Sequence, residues 1–545
     1  MSKKVLAVIL SLILTFSIVA VPVGAADMSF DDISIGDINL ENFNIENIFN
    51  QLIDKLIAFV LTYLNGFWPG YDDQWVGQDE YVPEYFYTGE ETFDTEVADG
   101  AKWEMGYAGA SLLDGVDATS GDYFLAGTLE PIAGRVPVRV IDDQRVRVYA
   151  VSDGTSGVVI QAVIDGFGLS RGDIQIIRER MEAFAVDNNV VAINVSVLHQ
   201  HSCIDTLGMN VPLAQALLFN TGNAAAGGLL DDLKVSKNQE FMENLYDKTV
   251  LSMKRAVKAM KPGELSYGYA DIGELIYDKR EPISFDKNIN RLRFVPNDGT
   301  TEIWVLEAGI HCTMLGAGPD ELTADFPYYI ERKIKMETGA NVIYVQGAEL
   351  AITTDCDTLN LPEDMDGIDR MIAYGEAVAE RVIAIDNDKP LDPVLNIKMA
   401  EVRLDVTNEI LTLAAREDVL NPVIVKTEND YQMITEIGYM ELGNEVAIFL
   451  CPGEFEPALI YGGPESGDAS WTGDEWGYEP LKNFTACENV MVYGLCNDQA
   501  GYVLRDNEYH SMFTENEEIN VICDTAGSAF TNAFMDLIES TKAVA

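Results

Sequence analysis

The chain has 545 residues, and its 36 Lys and Arg face 89 Asp and Glu, for a formal net charge of −53. This acidic excess repels a nucleic-acid backbone or an anionic bilayer over most of the surface, so a nucleic-acid partner is not expected. A neutral or cationic molecule or a metal ion is a better match. Composition leaves the oligomeric state open.

The N-terminus carries the features of an export signal. Lys3 and Lys4 precede an apolar run at 5–21, and small residues follow at 23–25. This pattern is typical of a signal peptide at 1–25, cleaved near Ala25 or Ala26. The alternative is a retained N-terminal anchor. We therefore expect a secreted or cell-surface protein rather than a cytoplasmic one.

Residues 27–96 form an acidic, Asn-rich extension with one amphipathic stretch at 45–64. The apolar residues of this stretch predict a helix with a broad apolar face. That face either packs on the body of the protein or makes a peripheral contact with a membrane or a partner. The sequence leaves both interpretations open.

From residue 97 onward, short β-rich runs alternate with helical patterns, which indicates an α/β domain at 97–545. The clearest unit is an apolar strand at 158–164, a helix capped by Ser170, and a second apolar strand at 190–198. This βαβ unit puts His199 just beyond the carboxyl end of a parallel strand. Open α/β sheets build their sites at that edge.

Four further apolar runs end in polar or ionisable residues, at 303–310, 342–345, 446–450 and 490–495. Such strand ends are able to converge on one rim of a sheet. We predict mixed, largely parallel sheets flanked by helices, with a metal site at the C-terminal strand ends.

Three of the four histidines, His199, His201 and His311, lie at the ends of predicted strands. Imidazole is the commonest metal ligand, and a catalytic zinc ion typically takes three protein ligands and a water. Residues two apart on a strand share a face, so the rings of His199 and His201 are able to reach one site. The alternative is a pair of hydrogen-bonded structural histidines.

Several segments resemble the neutral, non-lysosomal ceramidase family. Residues 199–202, His-Gln-His-Ser, resemble its His-Thr-His-Ser motif; residues 309–316 and 323–329 resemble its His-Pro-x-x-Leu-Gly and Ser-Ala-Asp-Phe-Pro-Gly-Tyr segments; residues 452–455 resemble its Pro-Gly-Glu turn. The resemblance implies a zinc ion held by His199, His311 and Glu454, with His201 lining the active site.

Two more segments extend the resemblance. Residues 495–509 look like the part of the family that supplies a zinc-bound tyrosine and a pocket tyrosine, which implies Tyr502 as ligand and Tyr509 in the pocket, or the reverse. Residues 279–282 resemble an Asn-Arg-Ser-Pro stretch whose arginine, here Arg280, faces the site. The similarity spans 98–540, so a C-terminal immunoglobulin-like domain is not expected.

One loop departs from the family. Ceramidases present an active-site serine on an Ala-Gly-Asp-x-Ser-Pro-Asn loop, whereas the matching residues 347–355 contain no serine. Thr353 or Thr354 would replace its hydroxyl, or Glu349 and Asp355 would supply different polar contacts. The hydrolytic reaction is therefore a firmer expectation than ceramide as the substrate.

These residues predict an exported, zinc-dependent hydrolase of linear amides that acts on N-acylsphingosine or a related small-molecule or lipid N-acyl substrate. Zn²⁺ would supply a hydroxide nucleophile at neutral pH. His201 would carry protons, and Tyr502, Tyr509 or Arg280 would stabilise the oxyanion. Two alternatives stay open: another zinc hydrolase of acyl amides or esters, and a catalytically inactive metal-binding surface protein.

Overall fold

A computed structural model of the chain describes residues 75–127, 135–208, 237–315, 320–408, 411–412, 415, 420–428, 430–464, 474–509 and 520–542. The predicted signal peptide at 1–25 and the predicted helix at 45–64 lie outside these residues. Within them, no helix combines the length and the apolar character that crossing a bilayer requires.

The strands of the described residues are numbered here in chain order. They are β1 (Glu104–Ser111), β2 (Arg139–Val140), β3 (Arg145–Ser152), β4 (Val158–Ile164), β5 (Val190–Val197), β6 (Lys261–Asp271), β7 (Ile276–Asp278), β8 (Asn288–Pro296), β9 (Ile303–Ala308), β10 (Glu321–Leu322), β11 (Asn341–Gln346), β12 (Ile352–Thr354), β13 (Lys389–Pro390), β14 (Leu395–Asp405), β15 (Val423–Lys426), β16 (Tyr431–Leu442), β17 (Val446–Leu450), β18 (Glu454–Phe455), β19 (Asn489–Tyr493) and β20 (Tyr502–Val503).

The α-helices are α1 (Arg171–Asp187), α2 (Gln239–Lys258), α3 (Asp325–Thr338), α4 (Gly367–Ile383), α5 (Pro457–Tyr461) and α6 (Ala526–Thr541). Short 3₁₀ turns lie at Gly273–Leu275, Asp357–Leu359, Leu481–Asn483 and Asp506–Glu508. The predicted βαβ unit is confirmed, because β4 and β5 pair in parallel on either side of α1 in the chain.

Two sheets form the body, and both are mainly antiparallel. The larger has the order β11-β9-β8-β6-β1-β3-β4-β5, with β13 also paired to β6, and the smaller has the order β14-β16-β17-β19, with β15 also paired to β16. Parallel pairing occurs between β4 and β5, between β9 and β11, and between β17 and β19. The other neighbours in these two sheets are antiparallel.

The prediction of largely parallel sheets is therefore wrong. It rested on apolar strands such as β17, which is buried along its whole length. Burial on both faces makes a strand apolar in either direction, so this pattern does not report direction. Short connections between β3 and β4 and between β16 and β17 allow the chain to reverse as hairpins, which yields antiparallel pairs.

Side chains that alternate along the strands of the larger sheet pack into hydrophobic layers on its two faces. In β3, Val146, Val148 and Ala150 enter one hydrophobic cluster with residues of α1 and α2, whereas Tyr149 and Val151 enter another. Successive side chains of a strand point to opposite faces, so the larger sheet is covered on both sides. The second cluster also contains residues of α3, α4 and the smaller sheet.

The smaller sheet has its own outer layer. Tyr439 and Phe449 join a third cluster with Phe530 and Phe534 of α6. The described body is thus a mixed α/β arrangement of two sheets flanked by helices.

Buried polar contacts fix the two sheets to each other. Arg178 of α1 donates to both carboxylate oxygens of Glu436 in β16, at 2.9 and 2.5 Å. The hydroxyls of Tyr149 and Tyr493 lie 2.9 Å apart. The charge-assisted contact of Arg178 with both oxygens of Glu436 holds a defined geometry, which matters because the candidate site lies on segments that follow strands of both sheets.

The described part of the N-terminal extension lies against this body. Phe93 stacks on Tyr439 with ring centroids 5.6 Å apart, and Gly89 forms a β-bridge with Lys398. Residues 75–96 therefore pack on the smaller sheet.

Candidate metal centre

The loops that follow five strands are hydrogen-bonded to one another. His201 N donates to Cys312 O at 3.2 Å, which joins the loops after β5 and β9. Gly494 N donates to Gln346 O at 2.8 Å, which joins the loop after β19 to the end of β11. Cys496 N donates to Cys451 O at 2.9 Å, so the loop after β17 is tied in as well.

His199 lies two residues after β5 and has a positive φ of 54°. Such a left-handed backbone costs a non-glycine residue roughly 1–2 kcal/mol and needs support from its surroundings. The ring stacks on Phe167, and Nδ1 lies 2.8 Å from Phe167 O. A carbonyl only accepts hydrogen bonds, so Nδ1 carries the proton and the lone pair of Nε2 faces the site.

Glu454 is the point where the other predicted ligands meet. Its Oε2 lies 3.3 Å from Nε2 of His199 and 3.2 Å from Nε2 of His311. Two ligand atoms bonded at about 2 Å to one tetrahedral ion stand about 3.3 Å apart. Gln499 donates to the other oxygen, Oε1, at 3.0 Å and so orients the carboxylate.

His201 completes a cluster of three imidazoles. Its ring centroid is 4.7 Å from that of His199 and 5.6 Å from that of His311. Nδ1 lies 2.9 Å from Gly127 O, which leaves the lone pair on Nε2, and Nε2 has no hydrogen-bond partner among the described residues. Both rings come from a loop beyond β5, so the expected strand alternation is not what brings them together.

Burial keeps these rings neutral. It lowers the pKa of His199, His201 and His311 to about 3 in each case, despite the favourable charge of Glu454 beside His199. The neutral His199 therefore turns a bare nitrogen towards a carboxylate oxygen at 3.3 Å. Two electron-rich atoms at that distance repel unless a cation lies between them, so the donor set fits a bound metal ion.

Glu349 is a carboxylate that the sequence analysis did not count among the ligands. One oxygen of Glu349, one of Glu454 and a ring nitrogen of His199 all lie within 4.8 Å of one another. Glu349 is 0 % exposed, and no described residue hydrogen-bonds either of its oxygens. Burial, and second the Glu454 carboxylate, raise the pKa of Glu349 well above its usual range.

Gln346 positions the loops of both histidines, a role that sequence reasoning missed. Its side-chain amide donates to Leu198 O at 3.2 Å and to Ile310 O at 2.8 Å, and its Oε1 accepts from Ile310 N at 3.1 Å. A polar residue at the end of an apolar strand was the available signal. The sequence did not indicate its partners.

The remaining predicted residues lie around the loop that carries Glu349. Tyr502 and Tyr509 share a hydrophobic cluster with Leu350, the next residue after Glu349. Tyr502 is also the register partner of Glu454 in the β18–β20 pair, and paired residues share a face.

Arg280 and Thr353 approach from β7 and β12. Arg280 Nη2 donates to Glu508 O at 2.6 Å, directly before Tyr509. Thr353 lies in β12 opposite Tyr277, next to Ile352, whose carbonyl accepts from His311 N at 2.9 Å. The sequence-predicted residues thus come from segments that contact one another, and the three histidines and Glu454 meet at the centre.

Comparison with solved structures identifies the fold. The neutral ceramidase from Pseudomonas aeruginosa matches with a TM-score of 0.62 at 14% identity, over 82% of this chain and 77% of that one. A ceramidase complexed with C2 matches with a TM-score of 0.58 at 13% identity, over the same shares. No family model matches the sequence, and no curated protein does. The chain therefore has a ceramidase-like fold.

Proposed function

We propose that the chain is an exported, metal-dependent hydrolase of amide bonds with a ceramidase-like substrate, and that Zn²⁺ is its ion. One observation carries the proposal: Nε2 of His199 and Nε2 of His311 lie 3.3 and 3.2 Å from a single oxygen of Glu454. These three residues come from segments far apart in the sequence, and their spacing suits ligands of one ion. Tyr502 is a further proposed ligand.

The ion would polarise a carbonyl and lower the pKa of a water to about 7. His199 presents Nε2 because Phe167 O holds the proton on Nδ1. His201 presents a second bare Nε2 beside the centre and would accept a proton from the nucleophile and pass it to the leaving amine.

Three other side chains are proposed to contact the substrate. Tyr509 and Arg280 would stabilise the oxyanion, supported by the hydrogen bond from Arg280 to the carbonyl that precedes Tyr509. Thr353 would supply a hydroxyl in place of the family's serine. An N-acyl lipid is the proposed substrate class, because both structural neighbours are described as ceramidases.

A substrate panel tests the proposal. Purified protein would be incubated with N-acylsphingosines of two chain lengths, a simple N-acyl amide and an acyl ester, with and without a chelator. We expect hydrolysis of an N-acylsphingosine that the chelator abolishes and added Zn²⁺ restores. His201→Ala should bind zinc and lose turnover.

The altered loop at 347–355 favours one second candidate, a zinc hydrolase of other acyl amides or esters. Chelator-sensitive cleavage of the simple amide or ester alone would select it. Absence of hydrolysis of every substrate by zinc-loaded protein would contradict both enzymatic proposals.

A further inference from the structure

We propose that Glu349 is a direct ligand of the metal ion, so that this site holds its cation with two carboxylates rather than one. The inference rests on the proposed function, since it concerns the same ion. The ligand set implied by the family resemblance contains a single carboxylate, Glu454. Glu349 therefore makes this centre different from the expected one.

The backbone places Glu349 firmly beside the histidine loops. An added Cβ on Gly309 would lie 2.0 Å from Ala348 O, so only glycine lets the loops after β9 and β11 approach this closely. Glu349 O accepts from Ile352 N at 2.5 Å, and Ile352 O accepts from His311 N at 2.9 Å. These two hydrogen bonds tie the turn that carries Glu349 to the residue that carries a proposed ligand.

The side chain of Glu349 has no other explanation among the described residues. It is 0 % exposed, neither oxygen has a hydrogen-bond partner, and no described Lys or Arg pairs with it. A buried carboxylate without partners is costly, and native structures rarely keep one without a function. One oxygen of Glu349 and one of Glu454 lie within 4.8 Å of each other and of a His199 nitrogen, a spacing that one ion spans.

Charge balance gives the second reason. Two ionised carboxylates this close repel strongly in a water-excluded site, and a divalent cation neutralises both. The resulting centre has no net charge, whereas a centre with Glu454 alone keeps one positive charge. Oxygen ligands also suit harder divalent ions, so we expect Mn²⁺ to bind this site better than it binds a site with one carboxylate.

Metal titration of Glu349→Gln tests the proposal without any substrate. Gln keeps the size of the side chain and removes its charge. We expect the Kd for Zn²⁺ to rise at least about ten-fold and the Kd for Mn²⁺ to rise further, measured calorimetrically on metal-free protein. The matched control is Glu337→Gln, an exposed glutamate near the end of α3, which should bind both ions as the parent does.

Thermal melting separates a ligand from a structural residue. Metal-free Glu349→Gln should melt at a higher temperature than the metal-free parent, because the buried acid next to Glu454 is gone. The rise in Tm on adding Zn²⁺ should be smaller than in the parent. A purely structural glutamate would instead lower both melting temperatures, and that result would overturn the proposal.

The outcomes separate this proposal from the proposed function. Unchanged Kd values in Glu349→Gln, together with lost zinc binding in His199→Ala, would refute Glu349 as a ligand and leave the metal site standing. Unchanged binding but lost hydrolysis in Glu349→Gln would also refute it, since the carboxylate would then act on water or substrate. Parent-like zinc binding by both His199→Ala and His311→Ala would overturn both proposals.

Discussion

Nε2 of His311 lies 3.2 Å from Oε2 of Glu454, although the two residues follow strands of different sheets, β9 and β17. The same oxygen lies 3.3 Å from Nε2 of His199. His199 and His311 follow strands of the larger sheet, and Glu454 follows a strand of the smaller one. The candidate centre thus depends on how the two sheets are fixed to each other.

Removal of either proposed histidine ligand should remove the ion. His199→Ala and His311→Ala should each weaken zinc binding at least about 100-fold, which exceeds the 10- to 100-fold cost of losing a supporting partner. Metal content after dialysis, measured by mass spectrometry, checks this. His201→Ala is the matched control and should retain about one zinc per chain; equal zinc content in all three variants would contradict the assignment.

Gly127→Ala should displace His201 without removing the ion. An added Cβ at Gly127 would lie 2.4 Å from Cβ of His201 and 2.5 Å from its Cα. Because Gly127 O also accepts from His201 Nδ1, the ring would lose its orientation, and we expect hydrolysis to fall about 100-fold, within the range of general acid–base catalysis. Zinc content should stay near that of the parent.

Gly115→Ala is the control for Gly127→Ala. Gly115 has a φ of +85°, close to the +96° of Gly127, but an added Cβ meets no atom within 4 Å. Both variants therefore carry a similar backbone strain, and only one carries the clash. Equal losses of hydrolysis in the two would show that strain alone is responsible.

Gln346→Leu should loosen the loops of two proposed ligands. The substitution leaves Leu198 O and both backbone groups of Ile310 without their present partner. Each unpaired buried group costs about 1–3 kcal/mol, so we expect a loss of several kcal/mol in the free energy of unfolding and weaker zinc binding. Urea unfolding and zinc titration measure the two effects.

Gln432→Leu is the matched control for that change. The side chain of Gln432 donates a hydrogen bond to Asp405 at the surface, at 2.8 Å. Surface substitutions usually stay within about 0.5 kcal/mol. Parent-like stability in Gln346→Leu would show that the amide does not hold the loops.

Glu307 should make stability fall as pH rises. Burial raises the pKa of this β9 carboxyl to about 8, and Asn290 donates to it at 2.7 Å. Between the unfolded value of about 4.5 and 8, the folded state holds a proton that the unfolded state has lost. The contribution of Glu307 to the free energy of unfolding is therefore fully present below the unfolded pKa and is lost progressively up to pH 8.

Glu307→Gln tests whether this carboxyl makes stability fall as pH rises. The amide oxygen still accepts from Asn290, and no proton needs to be held. We expect the drop in Tm between pH 6 and pH 9 to be smaller in Glu307→Gln than in the parent, with Glu337→Gln as a control for a lost charge. A larger drop in Glu307→Gln would contradict the raised pKa.

The sequence predicted several of the strands and helices that lead to the site, but not the directions of the strands. Strand β17 and the βαβ unit around α1 follow from apolar runs, helical spacing and the position of Ser170. Strand direction depends on connections, and the hairpin between β16 and β17, with Gly443 at a φ of +63°, carried a turn signal that the apolar pattern outweighed.

The sequence identified most of the candidate ligands because of their residue type and position. Histidines are rare in this chain, so three of them at strand ends were conspicuous, and the family resemblance joined Glu454 to two of them. The sequence did not identify Glu349 as a ligand, because the family resemblance assigns an active-site serine to its loop and acidic residues are abundant throughout the chain. Only the folded geometry shows that this glutamate is buried and points to the centre.

Anomalous X-ray scattering at the zinc edge tests the metal centre most directly. Crystals of the protein with zinc should show one strong peak about 2.0–2.1 Å from Nε2 of both His199 and His311, and about 2.0–2.2 Å from an oxygen of Glu454. A map with no peak between these three side chains, or with zinc bound only elsewhere on the acidic surface, would contradict it.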